Sequence, residues 1–277
     1  MKLEGKRALI TGGSGGFGLA VAKAFHREGA DLVLVARNKF KLVAARKELA
    51  KMPDATAGQE ISIVPYDVVD EDLMYRAIEL DPFFDIFVSC AGVYGPKGNF
   101  ENNDLSDWVD ALNINLLGTI LPCTFLLPIF KKQNYGRIIL ASGGGATKPM
   151  PYLSAYAASK AAVVRFGETL ALEVKDYDIS VNCVAPGALN TKMLDEILKA
   201  GPERVGIDFY TKSVKQKESG GDSLENAAEL CVQLASKEGG QVTGKLISAV
   251  WDNWRNWEEF VRQSADPDRY TLRRNIL

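Results

Sequence analysis

Two groups of residues in this chain have types and spacings suited to chemistry. The first is Tyr156 and Lys160 in SAYAASKAAVVRF. Four residues apart on a helix, they share one face. A phenol is a weak acid-base group near neutrality because its ordinary pKa is about 10. A neighbouring ammonium stabilises the phenolate and brings that value toward the working range. Taken alone, the pair also fits a helix with an unrelated surface lysine. The second group lies in KRALITGGSGGFGLAVAKAF, Lys6 to Phe25. It reads as a strand (Ala8 to Ile10), a glycine-dense turn (Gly12 to Gly18, with Ser14 and Phe17) and an amphipathic helix (Leu19 to Phe25). Such a turn aims unpaired helix N–H groups and the positive end of the helix dipole at an anion, typically a pyrophosphate. Two glycine registers fit: Gly13, Gly15 and Gly18 as GxGxxG, or Gly12, Gly16 and Gly18 as TGxxxGxG behind Thr11.

These groups need a scaffold, and the pattern of the chain supplies one. Strands are expected at Asp31–Val35, Ile61–Pro65, Asp85–Ser89, Arg137–Ala141, Ile179–Val184 and Lys245–Ala249. Between them fall helices at Asn38–Lys51, Glu71–Leu80, Asp104–Lys132, Ser154–Val174 and Leu224–Leu234. Seven strands alternating with helices predict an α/β fold, a Rossmann-type doubly wound parallel sheet with helices on both faces. The whole chain, 1–277, is expected to form one domain. Two segments stand outside the alternation. Asn190 to Gly221 is polar with no clean period and is the natural substrate lid. The extension from Trp251 to Leu277 carries Trp251, Trp254 and Trp257, expected as core or a subunit interface rather than a stacking surface for substrate.

In such a sheet, ligands bind beyond the carboxyl ends of the strands. At the end of the second strand stands Ala36-Arg37, where a carboxylate would otherwise meet a ribose 2′-hydroxyl. A guanidinium there suits a 2′-phosphate, with Ser14 as a further donor, so NADP(H) is expected over NAD(H). The bland alternative is that Arg37 merely begins the next helix in solvent.

Composition narrows the rest. A chain of 277 residues, 47% hydrophobic, can bury a sizeable core. A net charge of −2 without long charge runs points to neither nucleic acid nor an anionic membrane. Cys90, Cys123, Cys183 and Cys231 form no CxxC pattern and are expected as reduced, packed thiols. The apolar stretch Ile114 to Phe130 is interrupted by Asn115, Gly118, Pro122 and Pro128, and MKLEGKRALI has no signal-peptide core. A soluble cytoplasmic protein is expected. The single histidine, His26, lies on the first helix, away from the strand ends, which leaves no Ser-His-Asp or histidine metal arrangement.

TGGSGGFG, Asp67-Val68, Ala91-Gly92, Asn115 in NINLLGT, Tyr156-x3-Lys160, and Pro186-Gly187 with Thr191 occur in one order at the right intervals. Together they closely resemble the short-chain dehydrogenase/reductase family over roughly Lys2 to Ala249. The resemblance selects the register Thr11-Gly12-x3-Gly16-x-Gly18. It implies that Gly12, Gly16 and Gly18 shape the pyrophosphate turn, with Thr11, Ser14 and Phe17 in the same loop. By the same likeness Arg37 meets the adenosine phosphate, Asp67 and Val68 flank the adenine, and Ala91 and Gly92 line the middle of the cofactor. Tyr156 becomes the acid-base residue. Lys160 holds the nicotinamide ribose and lowers the tyrosine pKa. Asn115 supports a proton relay, and Pro186, Gly187 and Thr191 hold the carboxamide side. A small carbonyl or alcohol substrate and a homodimer or homotetramer, paired through the helices around Asp104–Lys132 and Ser154–Val174, are implied as well.

Three departures mark this chain. The family's Asn-Asn-Ala-Gly reads Ser89-Cys90-Ala91-Gly92, and its Asp-Gly-Gly after the last strand reads AVWDNWRNW. Its catalytic serine, thirteen residues before the tyrosine, is Gly143, with Ser142 one residue away. A one-residue slip on a strand ordinarily turns a side chain to the other face. The three glycines that follow can relax that geometry, so Ser142 is expected to polarise the substrate oxygen, with Thr147, Ser154 or a water as alternatives. Two other functions fit the same residues: a nucleotide-sugar epimerase or dehydratase, which recycles its NADP, and a non-catalytic NADP-binding regulator.

Overall fold

The computed structural model describes residues 1–54, 56–72, 75 and 83–274. The helix expected over Glu71–Leu80 lies largely outside the described residues, as does the end of the C-terminal extension. Seven strands, β1 (Arg7–Thr11), β2 (Asp31–Ala36), β3 (Ile61–Pro65), β4 (Ile86–Ser89), β5 (Gly136–Ala141), β6 (Ile179–Ala185) and β7 (Lys245–Ser248), form one sheet. Its order is β3-β2-β1-β4-β5-β6-β7, and every pairing is parallel.

Helices cover both faces, which is why the strands read as almost unbroken apolar runs. On one face, Ala8, Ile10, Leu34, Val88 and Ile139 pack with α1 (Gly16–Arg27), α2 (Lys39–Leu49) and α9 (Leu224–Ala235). On the other, Leu9, Val35, Phe87, Ile138 and Leu140 pack with α4 (Gly118–Gln133) and α5 (Ser154–Glu173). The alternation of Ala8, Leu9 and Ile10 between the two cores is the period of two expected of a strand.

α3 (Leu105–Leu112) runs into α4 through a π-helical stretch, Asn113–Leu117. That makes one helical run from Leu105 to Gln133, whose most apolar window has a mean hydropathy of 1.6 and is 33% buried. Pro122 and Pro128 sit inside it without ending it, so the interruptions read from the sequence do not shorten the run. It is the one helix among the described residues long and apolar enough to cross a membrane by length and composition.

The segment Asn190–Gly221 is more ordered than its composition suggests. It holds α6 (Lys192–Ala200), α7 (Pro202–Val205) and α8 (Ile207–Ser219). Gly201 and Gly206, with φ of 78° and 79°, separate them. The breaks at Gly201 and Gly206 cut the segment into three pieces whose apolar faces do not share one register, and this hides them from a sequence reading.

In the C-terminal extension, Trp254 is buried against the α1–α9 side and donates to the Ala249 carbonyl at 3.1 Å. Trp257 stacks on Phe260 in α10 (Trp257–Ser264), whereas Trp251 is 88% exposed. Two of the three tryptophans therefore belong to the core.

Candidate active site

β1 and β4 lie side by side while their following segments diverge to opposite faces, and this opens the carboxyl edge of the sheet. Gly12 occupies that divergence with φ 68°, and a Cβ there would lie 2.8 Å from the backbone of Cys90 and Ala91. A Cβ at Gly18 would meet the Gly12 carbonyl oxygen at 2.5 Å. The loop is held from within by Thr11, whose Oγ1 accepts from the N–H groups of Cys90 (3.2 Å) and Ala91 (3.4 Å).

Above this turn is a cavity of about 490 Å³. Gly12, Ser14, Arg37, Asp67, Val68, Ala91 and Gly92 all line it, so seven of the sequence-derived cofactor positions converge on one space. No side chain caps the N-terminus of α1, and a Cβ added at Gly15 would meet open space. A small-residue turn with free N–H groups fits a dinucleotide pyrophosphate. Gly16 faces Thr191, whose Cγ2 lies 3.4 Å from the place of a Cβ, so the turn touches the start of the lid. Pro186 and Gly187 lie outside the cavity lining; Ala188, next to them, donates its N–H to Asp222.

At the ribose end, Arg37 is 64% exposed and lies 3.7 Å from Asp67. Lys41 and Lys192 join the lining as two more cations that the sequence reading had not singled out. Lys41 sits four residues after Arg37 on the next helix, a spacing that was available as a signal. Lys192 enters only because the lid folds back.

Tyr156 and Lys160 lie beside this cavity on α5. Lys160 is buried, donates to the Ala141 carbonyl at 2.8 Å, and has its Nζ 3.6 Å from where a Cβ on Gly92 would lie. Its Nζ lies 5.8 Å from the centre of the Tyr156 ring. Burial pushes the Lys160 ammonium down to about 8, against smaller opposing effects of the Cys90 and Cys183 thiols. Burial, followed by the neighbouring Tyr94, pushes the Tyr156 phenol above its ordinary range. In the protein without cofactor, desolvation therefore outweighs the lowering of the tyrosine that the helix spacing predicts. Tyr94, its ring 4.8 Å from that of Tyr156, also went unnoticed in the sequence. Its place just after the Ala91-Gly92 strand end was the available signal.

Asn115 is fully buried in the π-helical stretch. Its side chain accepts from the Val93 N–H (2.8 Å) and donates to the Val93 carbonyl and to Ser159 Oγ, both at 2.9 Å. It ties α4 to the β4 end and to α5. Ser89 bonds Thr119 at 2.8 Å, and the Thr119 hydroxyl donates to the Asn115 carbonyl. A buried hydroxyl chain thus stands where the first asparagine of the family motif would be.

Position 143 faces the phenol: a Cβ there would lie 2.3 Å from Tyr156 Oη. The tyrosine hydroxyl fills the space that a side chain at 143 would take. Ser142 Oγ is buried and has no hydrogen-bond partner among the described residues, an uncommitted polar group of the kind often kept for function.

With this geometry in view, the comparisons with known proteins are informative. The model of the short chain dehydrogenase family matches residues 6–201. Glucose 1-dehydrogenase of Gluconobacter oxydans is 35% identical over 251 residues, covering 89% of this chain and 91% of that protein. The mouse 3-ketodihydrosphingosine reductase is 31% identical over 223 residues, covering 79% of this chain and 67% of that protein. The crystal structure of levodione reductase superposes with a TM-score of 0.80 over 92% of this chain and 99% of that one, at 24% identity, a likeness of fold. The chain belongs to the short-chain dehydrogenase/reductase family of oxidoreductases.

Because the folded protein holds Lys160 near 8 and the unfolded chain near 10.5, the unfolded state binds more protons between these values. The burial penalty is present below pH 8 and is relieved as pH rises to about 10.5. Urea unfolding of the ligand-free protein should show wild type gaining stability relative to Lys160→Met over that window, on the order of 3 kcal/mol. A constant difference would mean that Lys160 is not a buried ammonium.

Proposed function

We propose that this protein is an NADP(H)-dependent oxidoreductase that interconverts a secondary alcohol and a ketone, with Tyr156 as the acid-base residue. The observation that carries the reading is the position of Tyr156 and buried Lys160 beside a cavity built from the glycine turn, Arg37 and Gly92. A bound nicotinamide supplies hydride to the carbonyl carbon or accepts it from the alcohol. Tyr156, held protonated by burial, gives its proton to the developing alkoxide during reduction and takes it back during oxidation. Lys160, near 8, is close enough to neutrality to return a proton to the phenolate.

Asn115 positions the β4 end and Ser159 beneath this pair through its committed amide. Ser142 is the proposed hydroxyl partner of the substrate oxygen. Its free Oγ supports the role, and Gly143, Gly144 and Gly145 must carry it round, since position 143 now faces the phenol. Asp67, Val68, Ala91, Pro186, Gly187 and Thr191 complete the proposed cofactor contacts. Arg37 with Lys41 forms a cationic pair suited to a 2′-phosphate. The proposed assembly is a cytoplasmic homodimer or homotetramer, in which copies of α3–α4 and α5 cover exposed Leu105, Val109, Leu117 and Leu172.

Tyr156→Phe should lower NADPH consumption with a ketone substrate by 10²-fold or more while NADPH affinity stays within about twofold. Retained turnover would remove Tyr156 from the chemistry. Fluorescence titration of Arg37→Leu should weaken NADPH about tenfold or more and leave NADH nearly unchanged; equal effects on both would exclude a 2′-phosphate contact. For Ser142→Ala, kcat/KM is expected to fall about tenfold or more, and an unchanged value would leave Tyr156 as the sole donor.

A further inference from the structure

The side chain of Tyr156 is only 8% exposed, and its cover is apolar. Leu153, Ile197 and Val205 are buried with it, and Met150, Met193 and Phe209 pack around them. Leu153 and Met150 precede α5, while the other four come from α6, α7 and α8 of the lid. Tyr94 flanks the same ring. Lys97 and Glu196, beside this patch, pair with each other at 3.6 Å, and Lys97 also donates to the Gly95 carbonyl.

A carbonyl oxygen reduced here must come within hydrogen-bond distance of Tyr156 Oη. The substrate therefore enters between the phenol and the lid and replaces contacts that the lid now makes. An apolar group keeps the lid's inner face out of water, whereas a polyhydroxylated one would find only the Tyr94 and Tyr210 hydroxyls beside the phenol for its several polar groups. The cover is also adaptable. Met150 and Met193 are unbranched and repack readily, and the lid helices are joined by Gly201 and Gly206. The apolar character continues outward to Phe100, Tyr152 and Ile207, all exposed. Tyr152 holds this rim together, its ring against Gly206 and its carbonyl accepting from the Gly98 N–H at 3.0 Å.

We propose that the substrate is a ketone, or the matching secondary alcohol, bearing an extended hydrocarbon arm that lies between Tyr156 and the lid. The proposal deepens the function given above and rests on it for the site of the carbonyl. The curated relatives act on partners as different as glucose and a sphingoid ketone by their names, so the choice is made by the residues around Tyr156 in this chain.

The test uses the full-length protein with 2-butanone, 2-hexanone, 2-octanone, 2-decanone and, as a polar ketone, D-fructose. NADPH oxidation gives kcat/KM, and isothermal titration into the NADP+-loaded protein gives ketone affinity. Both should improve by about threefold to fourfold per methylene, the factor for about 0.8 kcal/mol per buried CH₂. D-fructose should fall at least 10²-fold below 2-decanone. Phe209→Ser should flatten the dependence while NADPH affinity stays within about twofold; if that variant does not fold, the wild-type series decides. Affinity rising with chain length without NADPH consumption would uphold the hydrocarbon site and remove the oxidoreductase reading. Consumption that is independent of chain length, or fastest with D-fructose, would do the reverse. Neither binding nor turnover across the series would overturn the hydrocarbon arm.

Discussion

The close approach of Gly12 to the end of β4 is the constraint on which the site depends. No other residue fits there, because a Cβ would enter the backbone of Cys90 and Ala91. The contact lets β1 and β4 stay paired up to their last residues and then part, one chain turning into α1 and the other passing under α5. The cavity is the gap left by that parting. Thr11 reinforces it by accepting two N–H groups from the β4 end, so the floor of the cofactor space is held by backbone and one hydroxyl.

Burial sets the chemistry on the other side of the gap. Lys160 and Tyr156 are both withdrawn from water, and each is pushed toward its neutral form, the lysine downward and the phenol upward. The carbonyl of Ala141 is the lysine's hydrogen-bond acceptor, and it lies at the end of the same strand that leads to Ser142 and Gly143. Two residues of α5 are thus referenced to one strand end. Segment 190–221 completes the desolvation by packing apolar side chains on the phenol, which links the burial of Tyr156 to the position of α6–α8.

The departures from the family pattern are absorbed locally. Ser89 and Thr119 pass a hydrogen-bond chain to the Asn115 backbone, and the Asn115 side chain reaches Val93 and Ser159. Every polar group in that chain is buried and paired, which is the condition for keeping polar atoms in a core. At Gly143 the compensation is steric, with the tyrosine hydroxyl advancing into the vacant side-chain space. The extended tail is anchored similarly: Trp254 fills the core beside α9, and Lys245 donates to the carbonyls of Asp266 and Arg269.

Much of this was legible in the residues themselves. The strands were readable because burial on both faces makes them continuous apolar runs, and the glycine turn because its backbone admits no substitute. Arg37 was legible from its strand-end position in a parallel sheet, while the convergence of Gly12, Asp67 and Gly92 with it was implied by the family resemblance. What the residues alone did not reveal depends on approach between distant segments. The helices of 190–221 are broken apart at Gly201 and Gly206, and Tyr94 and Lys192 meet the site only when their loop and this segment fold over it. The pKa directions of Tyr156 and Lys160 also differ from the simple pair effect. Spacing along a helix specifies which groups are neighbours, but desolvation depends on everything packed around them, and only the tertiary structure decides that.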